Sequence, residues 1–417
     1  MRYAGMQLLL DDIKSDLSVA QAVPAMTTDG RCMRCGQKQA VTLPIGWRYC
    51  PVCVNLGRVV EGQSLFRFEA PRFPPTASLT WQGELTHAQQ QASAELCASV
   101  KAQREHLLWA VTGAGKTEML FPAIAQLLNK GGRVGVAAPR IDVVRELAPR
   151  LAQAFAHTPM AVRYGGAPWP KQDVQLTVLT THQLLRYYHC FDLLVIDEVD
   201  AFPFAHDAAL MYAAQHAVIG SMVWLSATPD QKLLQQGRRG KIGLSTLPRR
   251  FHGYPLPVPK LAWVKKVHLP QQLPQPLLDQ LKKLVTTHRV LLFVPDIDWL
   301  RPIVKALRRQ LNVAVQSVHA QDEAREAKVL AFRAGEIQVM VTTTILERGV
   351  TIHRCAVVVL SADSPRFGHD ALIQMAGRAG RAADSPDDPV WFYVQHYTRD
   401  LQVAITTIEQ LNHMKAG

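Results

Sequence analysis

Long hydrophobic runs are absent from this chain of 417 residues. A membrane-spanning helix needs roughly 18 or more consecutive apolar residues, and no segment offers them. The first segment, MRYAGMQLLLDDIKSD, has only a few apolar residues before two aspartates, too few for a signal peptide. We therefore expect a cytoplasmic protein without a transmembrane segment.

Acidic residues are also few, with 34 Asp and Glu against 46 Lys and Arg and a formal net charge of +12. Clustered cations release counterions when they bind phosphate backbones, so this excess favours a polyanionic partner such as a nucleic acid. A basic protein without such a partner would show the same balance. Hydrophobic residues make up 48% of the chain, and its length predicts two or three domains.

Cysteine is scarce as well, with seven residues that a reducing cytoplasm would keep as thiols. Four of them form the CxxC pairs Cys32–Cys35 and Cys50–Cys53. Two such pairs can close a tetrahedral Zn²⁺ site, and four thiolate ligands predict a structural metal. A redox CxxC motif and chance spacing are the alternatives. Gly36 follows the first pair, where a turn around a metal requires a positive φ.

Two series of short apolar runs alternate with helical patterns, which is typical of parallel α/β sheets. The first series is HLLWAV, VGVAAP, LTVLTT, LLVIDE and MVWLSAT; the second is VLLFVP, VAVQSVH, IQVMVTT, CAVVVL and VWFYV. Residues 246–276 between them are rich in proline and cations, as expected of a connection. We predict a zinc module over 1–65 and two tandem parallel-sheet domains over 66–245 and 277–417.

The run WAVTGAGKTEM has the Gly-Lys-Thr ending of a phosphate-binding loop, with Ala110 in place of the usual first glycine. Backbone N–H groups of the loop would cradle phosphates at the start of the next helix. Lys116 would reach the β- and γ-phosphates of ATP, and Thr117 would place its hydroxyl on Mg²⁺. The predicted ATP-binding residues of this loop are Thr112, Gly113, Ala114, Gly115, Lys116 and Thr117.

Charged side chains in two further motifs complete a candidate hydrolytic site with Lys116. LLVIDEVD puts Asp197 and Glu198 at a strand tip, where one carboxylate can hold Mg²⁺ and the other can activate water. QMAGRAGR spaces Arg378 and Arg381 so that both can project from one helical face as arginine fingers. Taken alone, acidic strand ends and surface arginine pairs are common.

In order, these motifs resemble those of superfamily 2 helicases and translocases, the DExD/H-box group, over about residues 80–400. LTHAQ is similar to the glutamine motif, AVTGAGKT to motif I, APR to Ia, TTHQLL to Ib, DEVD to II and SAT to III. LLFVP is similar to motif IV, VTTTILERGVTI to V and QMAGRAGR to VI. In that group motif I usually begins with alanine, as it does at Ala110. The resemblance implies that both predicted domains are RecA-like.

The resemblance also implies roles for individual residues. Gln89 would read adenine, and Gly349 of motif V would contact the nucleotide. Contacts to a nucleic-acid backbone are implied for Arg140, Thr181, His182, Thr343 and Thr344. Basic residues of the connection, such as Arg249 and Arg250, are expected on a solvated face.

Within the superfamily, the chain resembles the ComFA family of competence ATPases. The four-cysteine module, WAVTGAGKTEM, DEVDAFPF, HGYPLPVP, TTTILERGVT and QMAGRAGR carry this resemblance. PriA-type helicases share a similar engine, but they are longer and insert their zinc-binding segment in the second motor domain. The order of cysteines and motor in this chain favours ComFA.

The family implies an ATP-dependent translocase that is stimulated by single-stranded DNA and helps to draw transforming DNA into the cytoplasm. Its cofactors would be ATP, Mg²⁺ and Zn²⁺. Its partners would be single-stranded DNA, ComFC-like and DprA-like competence proteins and the membrane DNA-uptake channel, which predicts a peripheral position at the inner face of the membrane. A PriA-like duplex-unwinding helicase and a non-enzymatic zinc-dependent scaffold are the alternatives, and an oligomer is compatible with each.

Overall fold

A computed structural model describes residues 3–14, 17–264, 269–347 and 352–414. The chain divides into two compact units. The first unit comprises Met1–Trp109 and Lys116–Thr246, and the second comprises Ala110–Gly115 and Leu247–Gly417. None of the helices in the described residues is long and apolar enough to cross a membrane.

The main sheet of the first unit has seven strands in the order β12-β6-β11-β10-β7-β9-β8. They are β6 His106–Ala110, β7 Val134–Ala138, β8 Met160–Arg163, β9 Leu176–Thr180, β10 Phe191–Ile196, β11 Val218–Ser226 and β12 Gly243–Leu247. In this spatial order, each strand from β6 through β11, β10, β7 and β9 to β8 is parallel to the next. Their carboxyl ends therefore lie at one edge of the sheet, where α/β proteins bind ligands. The helices are α1 His87–Lys101, α2 Lys116–Leu128, α3 Ile141–Ala154, α4 Ala208–Ala217 and α5 Gln231–Arg238.

The sheet of the second unit has six parallel strands in the order β13-β18-β17-β14-β16-β15. They are β13 Lys260–Trp263, β14 Arg289–Phe293, β15 Val315–Val318, β16 Val339–Thr342, β17 Cys355–Leu360 and β18 Val390–Val394. The helices are α6 Gln275–Leu284, α7 Leu300–Gln310, α8 Arg325–Ala334, α9 His369–Ala376 and α10 Arg399–His413. The central strand β17 is buried at all six positions, as its uninterrupted apolar sequence predicts.

All ten apolar runs form the strands that the sequence predicts, and the two-sheet architecture is confirmed. The sequence pattern missed β8 and β12, which are the two edge strands of the first sheet. Edge strands face solvent and tolerate polar residues, so MAVR and GLSTL lack the continuous apolar run of a central strand.

The amino-terminal module, which we define as residues 3–68, packs on the first sheet and belongs to the same unit. Its antiparallel strands β1 Gln7–Leu8, β5 Ser64–Phe68 and β2 Ala20–Pro24 form one sheet, and β3 Val41–Thr42 and β4 Arg48–Tyr49 form a hairpin. Side chains of the module and of β6, β9 and β10 share one hydrophobic core. The module is therefore a packed extension of the first α/β unit.

Direct contacts join this module to the segment after β9. The guanidinium of Arg67 lies 3.6 Å from the ring centroid of Tyr188, and Arg186 forms an ion pair of 2.8 Å with Asp12. The N–H of Tyr188 donates to the carbonyl of Gly5 at 2.9 Å. Because cation–π contacts and partly buried ion pairs are directional, they fix the orientation of the module on this segment.

A substitution at Gly36 tests how closely the amino-terminal module packs on α4. Gly36 has a φ of +76°, and a Cβ there would lie 2.4 Å from the ring of Tyr212 on α4. We expect Gly36→Ala to destabilise the protein by roughly 2–4 kcal/mol, through backbone strain plus overpacking. Gly46 is the matched control, since its φ is +87° and nothing lies within 4 Å of an added Cβ. Gly46→Ala should cost about 1 kcal/mol. Equal losses in urea unfolding would contradict the close packing on Tyr212.

Candidate nucleotide and metal sites

The phosphate-binding loop lies between β6 and α2, as predicted. Gly113 and Gly115 have φ values of +83° and +75°, a backbone conformation that residues with a side chain rarely adopt. Lys116 is the first residue of α2, so the loop opens directly onto a helix amino terminus. Ala110 is fully buried at the end of β6, which suits a small residue. The contacts of individual loop residues with ATP stay predictions.

The tip of β10 carries the paired carboxylates. The N–H of Asp197 donates to the carbonyl of Ala137 at 2.8 Å, and a carboxylate oxygen of Asp197 accepts from the N–H of Glu198 at 2.9 Å. Withdrawal from water and the neighbouring charge of Glu198 raise the pKa of Asp197 to about 6, while the charge of Lys116 acts in the opposite direction. Glu198 has a φ of +53°, a strained backbone typical of functional sites. A divalent cation beside Asp197 would favour its charged form.

A third carboxylate of the same motif is bonded to the next strand. Asp200 accepts hydrogen bonds from Ser226, the last residue of β11, at 2.5 Å and from Thr228, two residues further on, at 2.8 Å. The hydroxyl of Ser226 also accepts from the N–H of Thr228 at 3.0 Å. The SAT motif thus links the tips of β10 and β11 through Asp200, a connection that the sequence pattern does not reveal.

The two candidate arginine fingers are not on a helical face, so that part of the prediction is wrong. Helix α9 ends at Ala376, and Gly380 with a φ of +64° turns the chain away. Arg378 is buried and donates to the carbonyl of Glu347 at 2.7 Å, whereas Arg381 is partly exposed. We name residues 377–381 the arginine turn.

Gln89 and Gly349 are the two other residues that are predicted to contact the nucleotide. Gln89 is buried, and its amide oxygen accepts from the N–H of Thr86 at 2.8 Å in a capping box that begins α1. This gives Gln89 a structural role, and its contact with adenine stays a prediction. Gly349 lies outside the described residues.

The predicted strand-contacting residues of the first unit follow two neighbouring strands. Arg140 caps α3 just beyond β7, and Thr181 and His182 begin a 3-10 turn directly after β9. Thr181 is fully buried, whereas His182 is exposed. Thr343 and Thr344 follow β16 in the second unit, and both are partly exposed. His182 is therefore the better placed of the histidine and threonine candidates in the first unit.

The four predicted zinc ligands form one buried cluster. The sulfur atoms of Cys32, Cys35, Cys50 and Cys53 all lie within 4.8 Å of one another, with Cys32–Cys53 at 3.8 Å and Cys35–Cys50 at 3.5 Å. Tetrahedral Zn²⁺ with Zn–S bonds of about 2.3 Å needs sulfurs roughly 3.8 Å apart, so the cluster fits zinc. Hydrogen bonds from the other three groups lower the pKa of Cys50. The metal would be structural, because thiolates fill all four positions.

Further backbone and side-chain bonds support this cluster. Gly36 donates its N–H to the carbonyl of Cys32 at 2.8 Å, and its φ of +76° confirms the predicted left-handed turn. The buried guanidinium of Arg34 donates to the carbonyls of Leu56 and Gly57 at 3.0 and 2.9 Å. Arg34 thereby ties the first CxxC turn to the second.

Comparison with known proteins decides the family. Residues 82–231 match the family described as "Type III restriction enzyme, res subunit", and residues 275–383 match "Helicase conserved C-terminal domain". "Competence protein ComFA" of Bacillus subtilis is 39% identical over 400 residues, covering 93% of this chain and 86% of the relative. The chain belongs to the ComFA family. The Streptococcus pneumoniae ComFA is 37% identical, covering 96% and 95% of the two chains.

The fold of this ComFA-family chain is that of RecA-like helicases. The structure titled "S. cerevisiae Dbp5 bound to RNA and ADP BeF3" has a TM-score of 0.58 at 16% identity, covering 79% of this chain and 92% of that one. This likeness concerns the fold alone. The helicase-family matches make the protein an ATP-hydrolysing, helicase-like enzyme that uses Mg²⁺.

The raised pKa of Asp197 predicts a conflict between stability and function. Ionising Asp197 at pH 7.5 lowers the free energy of unfolding of the nucleotide-free protein, because its pKa of about 6 in the folded state exceeds the value of 3.8 that is usual for an aspartate. We expect Asp197→Asn to abolish ATP hydrolysis and to raise Tm at pH 7.5 by roughly 2–4 °C. The gain should shrink as the pH falls below 6, since the wild-type carboxyl then takes up a proton. A Tm gain that stays constant from pH 7.5 to 4.5 would contradict this cause.

Zinc binding is tested by metal analysis of purified variants. We expect about one Zn²⁺ per wild-type chain and loss of most of it in Cys32→Ala and Cys50→Ala, with a lower Tm because the core around the cluster loosens. Cys97→Ala is the control, since Cys97 lies on α1 outside the cluster. Unchanged zinc content in the first two variants would rule out the proposed ligands.

Proposed function

We propose that this ComFA-family chain is an ATP-driven translocase of single-stranded DNA that takes part in DNA uptake. The name "Competence protein ComFA" of its relatives supports the biological setting. ATP hydrolysis would drive the movement, with Lys116, Asp197, Glu198, Arg378 and Arg381 as its catalytic residues.

One observation carries this proposal: a single sheet edge holds both the hydrolytic carboxylates and candidate strand contacts. Asp197 follows β10, and the next strand in the sheet is β7, which leads to Arg140. Strand β9 lies beside β7 and leads to His182. Since all three strands are parallel, these side chains emerge at neighbouring positions of one edge.

A backbone hydrogen bond connects the strand tip that carries the hydrolytic carboxylates with the strand that leads to Arg140. The N–H of Asp197 is bonded to the carbonyl of Ala137, three residues before Arg140. A shift of the β10 tip on ATP binding or hydrolysis would therefore displace the end of β7 and the start of α3. Coupling of this kind needs an element with two arrangements, and the strand tip with its strained Glu198 is such a candidate.

The chemistry of the candidate contacts suits a strand of any sequence. A guanidinium, an imidazole and hydroxyls can bind phosphate oxygens, which carry no direct sequence information. Binding should accordingly be tolerant of sequence and weaken with salt. ComFC-like and DprA-like proteins, the membrane DNA-uptake channel and a peripheral position at the membrane are further parts of the proposal.

ATPase assays with single-stranded DNA, duplex DNA and RNA test the proposal. We expect slow hydrolysis without nucleic acid and at least about tenfold stimulation by single-stranded DNA, since strand binding would complete the site. Lys116→Ala should abolish hydrolysis in every condition. Equal rates with and without saturating single-stranded DNA would contradict the translocase proposal. Efficient separation of a forked duplex would instead favour a PriA-like helicase.

The strand contact is tested separately with two exposed histidines. His182→Ala should weaken binding of a fluorescent oligonucleotide by roughly three- to tenfold, through a lost phosphate contact. His157→Ala is the matched control, because His157 is also exposed but lies between α3 and β8, at the opposite edge of the sheet. Equal binding by both variants would remove His182 from the DNA path.

A further inference from the structure

Arg250 is a buried cation in the connection before β13. The sequence pattern predicts a solvated position, but Arg250 is only 2% exposed. Its neighbour Arg249 is partly exposed and donates to the carbonyl of Asn412 at 2.6 Å. The prediction of a solvated face is therefore wrong for Arg250, whose side chain turns into the protein.

The guanidinium of Arg250 holds the arginine turn by its backbone. One Nη donates to the carbonyl of Gly380, and the other donates to the carbonyl of Gly377 at 3.3 Å. The Nε2 of His252 lies 3.2 Å from the same Gly380 oxygen. Gly377 immediately precedes Arg378 and Gly380 immediately precedes Arg381, so Arg250 holds the backbone from which both arginines project.

The same side chain lies against the phosphate-binding loop, whose residues Ala110–Gly115 belong to the second unit with Arg250. A Cβ built on Gly113 would lie 3.6 to 3.8 Å from Cγ, Cδ and Nε of Arg250. The next residue, Phe251, donates its N–H to the carbonyl of Gly113 at 3.0 Å. In addition, Thr112 donates to the carbonyl of Gly377 at 3.4 Å. Arg250 thus contacts both the loop and the arginine turn.

The electrostatic setting is costly for a residue with a purely structural role. Burial and then the charge of Arg381 lower the pKa of Arg250 to about 9, and Asp388 acts in the opposite direction. Within the described part of the chain, the Nε of Arg250 has no hydrogen-bond partner. A buried cation beside another cation is unfavourable unless an anion reaches it. The triphosphate of ATP in the adjoining loop is such an anion.

We propose that Arg250 is a positioning residue for ATP hydrolysis, which places the arginine turn according to the occupancy of the phosphate-binding loop. The bound phosphates would draw the Arg250 guanidinium, and its bonds to Gly377 and Gly380 would carry Arg378 and Arg381 with it. This inference concerns the hydrolytic step and goes beyond the proposed movement of DNA.

Three variants test the proposal by their kinetics per nucleotide-binding site. Arg250→Met keeps the apolar part of the side chain but removes the guanidinium, whose two Nη atoms bond the two carbonyls. Arg250→Lys keeps the positive charge, and Arg249→Met is the matched control. Active sites are counted by titration with a fluorescent N-methylanthraniloyl-ADP, so that unfolded protein does not enter kcat. We expect Arg250→Met to lower kcat by roughly 10- to 100-fold with the KM for ATP changed less than about threefold.

Arg250→Lys should fold as the wild type does, yet remain about tenfold below it in kcat, because a single ammonium group cannot bond both carbonyls in the geometry of the guanidinium. Arg249→Met should keep the wild-type kcat. A kcat within about twofold of wild type for Arg250→Lys would overturn the proposal, and so would a raised KM with kcat unchanged. If Arg250→Met does not fold, Arg250→Lys decides. All assays are run with and without single-stranded DNA, because loss of stimulation in the wild type counts against the translocase and not against Arg250.

Discussion

Electrostatic repulsion at the tip of β10 is the constraint that the surrounding residues of the first α/β unit must meet. Three carboxylates, Asp197, Glu198 and Asp200, occur within four residues at the end of a buried strand. Residues of α2 and of the end of β11 relieve part of this repulsion. Lys116 contributes a positive charge from the start of α2, and Ser226 at the end of β11 and Thr228 just beyond it donate hydrogen bonds to Asp200. The charge that remains on Asp197 and Glu198 is what a divalent cation and a water nucleophile require.

Much of this arrangement could be predicted from sequence, for physical reasons. Central parallel strands are buried on both faces, so runs such as CAVVVL identify them without any knowledge of their partners. Glycines at left-handed positions, as in the phosphate-binding loop and at Gly36, are local requirements that a sequence displays directly. The two CxxC pairs are equally local, and their sulfur atoms meet as expected.

The parts that could not be predicted depend on contacts between distant residues. Arg250 reads as a surface cation, because nothing near it in sequence indicates that the carbonyls of Gly377 and Gly380 receive it. The end of α9 before Arg378 was missed because three-residue spacing suits a turn as well as a helix. The edge strands β8 and β12 are bordered on one side only, so their sequences lack the continuous apolar run that identifies a central strand.

Because the amino-terminal module and the first sheet share one core, a metal bound by the four cysteines would stabilise more of the protein than the module alone. A ligand that binds only the folded state stabilises everything that folds cooperatively with its site, by an amount that rises with the logarithm of its free concentration. Arg34 and the contact of Gly36 with Tyr212 make the cluster continuous with α4, which leads into β11 and the Ser226 hydroxyl. Zinc at this cluster would then stabilise the whole first unit, and metal limitation would lower the fraction of chains that are folded before it altered the chemistry of any one of them.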